Sequence, residues 1–137
     1  MPRLDKDQYF LKIAQVVALR STCIRRQYGA VIVSTRGTII STGYNGAPVG
    51  APNCCDVGDC WREAHNIPHG QRYEACRSVH AEANAILSAP PSDMEGATLY
   101  LAGWENGNPI DNPQPCEMCR RYIANTRIAR VVIGKEI

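Results

Sequence analysis

No stretch of the chain approaches the roughly 18 apolar residues that a membrane-crossing helix needs, so no spanning segment and no membrane partner are expected. Behind the charged start Met1–Lys6 there is no uninterrupted apolar stretch of the kind a secretory leader carries, and a cytoplasmic location is expected. The chain has no internal repeat and no low-complexity tract, which leaves out repeat architectures. A strong charge imbalance is also missing: the net charge is +2, with no dense basic stripe, which argues against nucleic acid as a partner. Lysine is scarce, 3 against 12 arginines, and the arginine fork fits phosphate better than an ammonium does. The 137 residues, 45% hydrophobic and 20% charged, suit one soluble globular domain over 1–137.

Cysteine, by contrast, is abundant. Seven in a chain of this length, an odd number, point in a reducing compartment to metal or catalytic sites and not to a closed disulfide set.

Residues 5–20 carry apolar side chains at helical spacing through Tyr9/Phe10, Ile13 and Val16/Val17, with Asp5 placed to cap the start. Residues 28–34 and 38–43 read as two strands joined by the tight turn Thr35-Arg36-Gly37. Both are apolar nearly throughout, so cover on both faces is expected. Residues 44–77 read as an inserted, Cys-rich loop with a short helical piece near Cys60–Asn66. A helix over 80–89 ends at Pro90-Pro91, a strand spans 97–102, and a loop spans 103–114. A helix then opens at Pro115 and runs to about Asn125, and a last strand spans 130–134. The order α-β-β-α-β-α-β predicts an α/β fold of three layers, α/β/α, around a mixed central sheet. The strands after the hairpin are expected to pair in parallel through right-handed crossovers.

His80, Cys116 and Cys119 are three ligands that suit Zn²⁺ while leaving a fourth position open. Two of them are three residues apart at a helix start, hence on one face, and His80 begins the other helix. Both helix N-termini thus point at one place and favour thiolate there. Two thiolates weaken the metal as a Lewis acid, so a base is needed, and Glu82 is placed to move the water proton. H-x-E followed by P-C-x-x-C is the order found in the zinc nucleobase deaminases, whose hydroxide attacks C4 of cytosine. A closed, four-ligand structural zinc site is the alternative; the preceding proline, the single His and the Glu favour catalysis.

The motifs His80-Ala81-Glu82-Ala83-Asn84-Ala85-Ile86 and Pro115-Cys116-Glu117-Met118-Cys119, with Gly29–Val33 and Gly43-Tyr44-Asn45-Gly46, resemble the deoxycytidylate (dCMP) deaminases of the cytidine-deaminase superfamily. The Cys-rich insert resembles the phage and bacterial type, and the likeness covers roughly residues 5–134. It implies a cytidine-deaminase-like fold, hydrolysis of dCMP to dUMP for thymidylate synthesis, and a homo-hexamer activated by dCTP with Mg²⁺ and inhibited by dTTP. It implies catalytic zinc on His80, Cys116 and Cys119, proton transfer by Glu82, and substrate contact by Asn45 and Ala81. Gly43, Tyr44, Asn45 and Gly46 match the segment associated with the effector nucleotide. One departure stands out: the long segment Gly103–Gln114 precedes the second cysteine pair, where many relatives have a simple loop.

Cys23, Cys54, Cys60 and Cys76 are candidate ligands of a second, structural Zn²⁺ that would staple the 44–77 loop, with His65 and His69 as rivals and Cys55 spare. Arg25, Arg26 and Arg62, with Ser21 and Tyr122 behind them, are the candidates for a nucleotide phosphate. The rival functions are deamination of a free nucleoside or of a base in tRNA or single-stranded nucleic acid, and a non-catalytic zinc module.

Overall fold

The computed structural model describes residues 1–58, 60–68, 76 and 78–134. The first helix, α1 (Lys6–Ala18), begins with a capping box in which the Asp5 side chain accepts from Gln8 N–H and the Gln8 side chain accepts from Asp5 N–H. Strands β1 (Arg26–Val33) and β2 (Ile39–Tyr44) form the expected antiparallel hairpin. Two short helices follow, α2 (Cys54–Val57) and α3 (Trp61–Ala64), of which only the second lies in the stretch expected to be helical. Then come α4 (Ala81–Leu87), a 3₁₀ turn over Pro91–Met94, β3 (Thr98–Glu105), β4 (Asn108–Pro109), α5 (Glu117–Asn125) and β5 (Arg130–Ile133).

The sheet runs β2-β1-β3, and both β4 and β5 pair with the far edge of β3. It is mixed, as expected, but only β3 and β5 pair in parallel. The pairing of β1 with β3 is antiparallel, which corrects the expectation of parallel pairs after the hairpin. Because β2 and β3 are both antiparallel to β1, they run the same way, as a β–α–β crossover requires. The hairpin inserts β1 between them, so they never touch. Cover on both faces holds for β1, whose last five residues are buried, but not for β2, an edge strand with alternating exposure.

Alternation along the central strands makes three layers. Ala30, Ile32, Leu99 and Leu101 face Ala81 and Ala85 of α4 and Ile123 of α5. Val31, Val33, Tyr100 and Ala102 face Phe10, Leu11 and Ala14 of α1. The expected apolar stripe of α1 is borne out at Phe10, Ile13 and Val17, which pack into this layer, but Tyr9 and Val16 are exposed, and Ala14 and Ala18 are fully buried. The cause is Gly29, where a side-chain carbon would lie 2.1 Å from the Ala14 carbonyl oxygen. The helix approaches the sheet along its small residues.

Gly103–Gln114 is not a plain loop. Strand β3 runs on to Glu105 and turns back into β4 through Asn106-Gly107, both at positive φ (53° and 76°). That is the two-residue turn favoured by hairpins, and the Asn-Gly dipeptide is its sequence signal.

Candidate active site

Two helix starts build the centre of the site. His80 is the N-cap of α4, with extended backbone at φ −69° and ψ 154°. Cys116, and not Pro115, is the N-cap of α5; its sulfur accepts from the Cys119 backbone N–H at 3.4 Å. Proline before the cap leaves this N–H arrangement intact. His80 Nδ1 lies 3.4 Å from each of the two sulfurs. All three ligand atoms fall within 4.8 Å of one another, and among the described residues they are the one such group placed to hold a metal ion. Tetrahedral zinc with Zn–S near 2.3 Å and Zn–N near 2.0 Å would set the nitrogen about 3.5 Å from each sulfur, so the donor set and spacing fit Zn²⁺.

The electrostatics agree with a cation site. The Cys116 thiol is pushed down to about 3, first by the hydrogen bond from the Cys119 thiol and also by His80 and the Cys119 backbone N–H. His80 is shifted up, chiefly by its bond to the Cys116 sulfur. Cys119 is shifted up, because one proton shared by two sulfurs stays on the deeper of the pair. A divalent cation would replace those protons. Glu82, in the first turn of α4, is 5% exposed, and burial pushes its carboxyl up from the ordinary glutamate value. A carboxyl poised in this way can both accept and donate a proton.

His80, Glu82 and Cys116 form one wall of a cavity of about 240 Å³, with Cys119 buried behind them; it is also lined by Cys23, Cys60, Cys76, Arg25, Tyr28, Ser78, Asn112 and Gln114. Of the other expected site residues, Asn45, Ala81, Arg26 and Arg62 line it too. Ser21 and Tyr122 are not among the described lining residues: Ser21 bonds to the Asn45 side-chain and main-chain oxygens, and Tyr122 is exposed on α5. Asn45 is 7% exposed and heavily bonded. Its Oδ1 accepts from Tyr28 N–H and Ser21 Oγ, and its Nδ2 donates to the Arg26 carbonyl. Arg26 bonds Glu105, its cross-strand partner, and the Tyr28 hydroxyl. Arg62, 6% exposed, donates to the Pro68 carbonyl.

Gly43–Gly46 straps the catalytic helix. A side-chain carbon on Gly43 would lie 2.4 Å from the Ala85 nitrogen and 2.5 Å from the Ala81 oxygen. Tyr44 accepts at its carbonyl from Asn84 Nδ2, and Gly46 pairs with Val79, the residue before His80. Tyr44 itself is exposed, while Gly43, Asn45 and Gly46 are buried.

Cys23, Cys54, Cys60 and Cys76 do not gather as a ligand set among the described residues. No disulfide joins any of the seven cysteines. The first part of the 44–77 loop is held by main-chain bonds instead: Thr22 N–H to Asn45 O, Cys55 N–H to Thr22 O, and the Gly46–Val79 pair. His65 is exposed on the loop, and His69 lies outside the described residues. Sequence reasoning missed Tyr28, Ser78, Asn112, Gln114 and Glu105. The Arg26–Glu105 register follows from strand pairing that no local pattern carries; the Asn106-Gly107 turn was a usable signal for the end of β3.

The family model for the cytidine and deoxycytidylate deaminase zinc-binding region matches residues 4–135. The chain belongs to this family. The deoxycytidylate deaminase of Mycobacterium phage D29 is 42% identical over 141 residues, covering 99% of both chains. That of Enterobacteria phage T4 is 33% identical, covering 89% of this chain and 74% of its own. The Schizosaccharomyces pombe enzyme is 44% identical over 92% of this chain, which spans 36% of that longer protein. Among solved structures, dCMP deaminase from the cyanophage S-TIM5 shares the fold, with a TM-score of 0.66 at 24% identity over 98% of this chain and 86% of its own. Family membership and the chain's own donor set both make the His80–Cys116–Cys119 group a zinc site. Among the described residues, no helix is long and apolar enough to cross a membrane.

Proposed function

We propose that this protein hydrolyses dCMP to dUMP and ammonia and so supplies dUMP for thymidylate synthesis. The observation that carries the chemistry is a buried carboxyl, Glu82, lining the cavity that His80 and Cys116 of the metal-ligating group also line. The substrate is supported by the deoxycytidylate deaminases that match this chain over most of its length. When bound, zinc lowers the pKa of water toward neutrality and so supplies a nucleophile for C4 of the cytosine ring. His80, Cys116 and Cys119 are the residues that would hold it. Glu82 takes the proton of the attacking water at its carboxylate. It delivers that proton to the ring nitrogen and then assists the departing ammonia. Ala81 and Leu101 give the cavity apolar wall, which limits competing water. Asn45 holds the wall between β1 and the loop through its three partners and offers its remaining amide proton to the sugar.

This proposal includes a homo-hexamer in the cytoplasm, activation by dCTP with Mg²⁺, and inhibition by dTTP. Gly43–Gly46 supports the effector part through its grip on α4: a ligand that shifts this segment shifts His80 and Glu82. A structural zinc on some of Cys23, Cys54, Cys60 and Cys76 is not retained as a set of four.

The test is a substrate panel on zinc-loaded protein: dCMP, deoxycytidine, dCTP and a tRNA anticodon stem, each with and without dCTP–Mg²⁺ and dTTP. Preferred turnover of dCMP supports the proposal. Preferred turnover of the nucleoside or the RNA, or none of any cytosine substrate, overturns it. Sedimentation of the same preparation checks the hexamer, and metal analysis counts zinc per chain.

A further inference from the structure

Two donors in the cavity wall have nothing to bond among the described residues. Arg25 Nη1 and Ser78 Oγ are buried atoms with no hydrogen-bond partner among the described residues, and both residues line the cavity. Buried polar groups are nearly always paired, so two such orphans on one cavity call for a ligand. The other cavity arginines are committed: Arg26 to Glu105 and Tyr28, Arg62 to the Pro68 carbonyl. Arg25 is anchored differently. Its Nε faces Glu63 of α3 at 3.9 Å, which leaves Nη1 as the unspent donor.

The chemistry of the pair narrows the ligand. A guanidinium donates only and is always charged, and a serine hydroxyl can donate beside it. Together they suit an anion with several acceptor oxygens. An uncharged sugar hydroxyl would not repay the desolvation of a guanidinium edge. We propose that Arg25 and Ser78 hold the phosphate monoester of the substrate nucleotide, and that Arg25 thereby sets the preference for nucleotide over nucleoside. This rests on the reading of the site as a dCMP deaminase. Of the three arginines that the sequence offered, it selects Arg25 over Arg26, which bonds Glu105 through Nε and Tyr28 through Nη1.

The test compares dUMP and deoxyuridine, with and without the phosphate, by calorimetric titration of zinc-loaded protein and its R25Q, R25K and S78A variants. R25Q should narrow the affinity ratio of dUMP over deoxyuridine by about 10- to 100-fold, the range of one charge-assisted bond. S78A should narrow it by about 2- to 10-fold, and R25K should fall between wild type and R25Q. Equal losses for both ligands, or an unchanged ratio, overturn the proposal. If R25Q fails to fold, R25K and S78A carry the same comparison. Weakened dCTP activation with an unchanged dUMP ratio assigns the pair to an effector and also overturns it. Wild-type protein that turns over no dCMP defeats the functional reading instead, and the two failures are distinct.

Discussion

Replacing Gly43 by alanine tests how the catalytic helix is held. The added carbon would sit 2.4 Å from the Ala85 nitrogen, 2.5 Å from the Ala81 oxygen and 2.9 Å from the Asn84 carbonyl carbon. All three are backbone atoms of α4, so no side chain can swing aside. Ordinary contact begins near 3.4 Å, so α4 must retreat from β2 by about 1 Å. In a close-packed core, overpacking of this kind costs about 1–3 kcal/mol. For a chain of this size that lowers the Tm by about 3–5 °C per kcal/mol. The retreat also carries His80 and Glu82 away from Cys116 and Cys119, and a displacement of about 1 Å can cost 100-fold in rate. Gly29→Ala is the matched control. Its carbon would lie 2.1 Å from Ala14 O and 2.5 Å from Ala18 N on α1, which bears no proposed site residue. Both variants should melt early by differential scanning calorimetry, but only Gly43→Ala should lose zinc and kcat out of proportion to its Tm. A Gly43→Ala protein with native Tm and native turnover would refute the close approach of α4 to β2. Equal losses of activity in the two variants would refute the claim that this glycine positions the site.

Glu82→Gln keeps the shape and removes the proton carrier; zinc content should stay at the wild-type value while kcat falls by about 10²–10⁴, and unchanged turnover would remove Glu82 from the mechanism. Asn45→Ala strips partners from the Tyr28 N–H, the Arg26 carbonyl and Ser21, at a cost of about 2–4 kcal/mol, to be read from urea denaturation. The Asp7 carboxyl is held below the usual aspartate range by the Tyr100 hydroxyl and then by Arg130. A carboxylate with a depressed folded pKa contributes stability that is complete above about pH 3.9 and lost as pH falls further. Tyr100 is pushed up to about 12, mainly by burial. Its contribution is complete below about pH 10 and lost as pH rises toward the folded value. Asp7→Asn should therefore flatten the acid limb of the stability curve, and Tyr100→Phe the alkaline limb, in denaturation series from pH 2 to 12.

What the amino-acid sequence determined by itself was local. His80 and Cys116 fall at helix starts, and Cys119 follows at the third helical position, because caps and one-turn spacings are set by a few neighbouring residues. The metal group, its base and the family were therefore legible before any fold was known, and so was the order of the elements. Tertiary structure decided everything that depends on distant partners. It set β1 between β2 and β3, which made their pairings antiparallel. It placed Arg26 opposite Glu105, 79 residues on, and so engaged one arginine while leaving the adjacent Arg25, which lines the cavity, with a donor unbonded among the described residues. It kept Cys23, Cys54, Cys60 and Cys76 from forming one ligand group among the described residues, although sequence alone invited it. Ligand chemistry is carried by residue type and short spacing; which of several equivalent side chains faces the cavity unpaired is settled only when strands from far along the chain come into register.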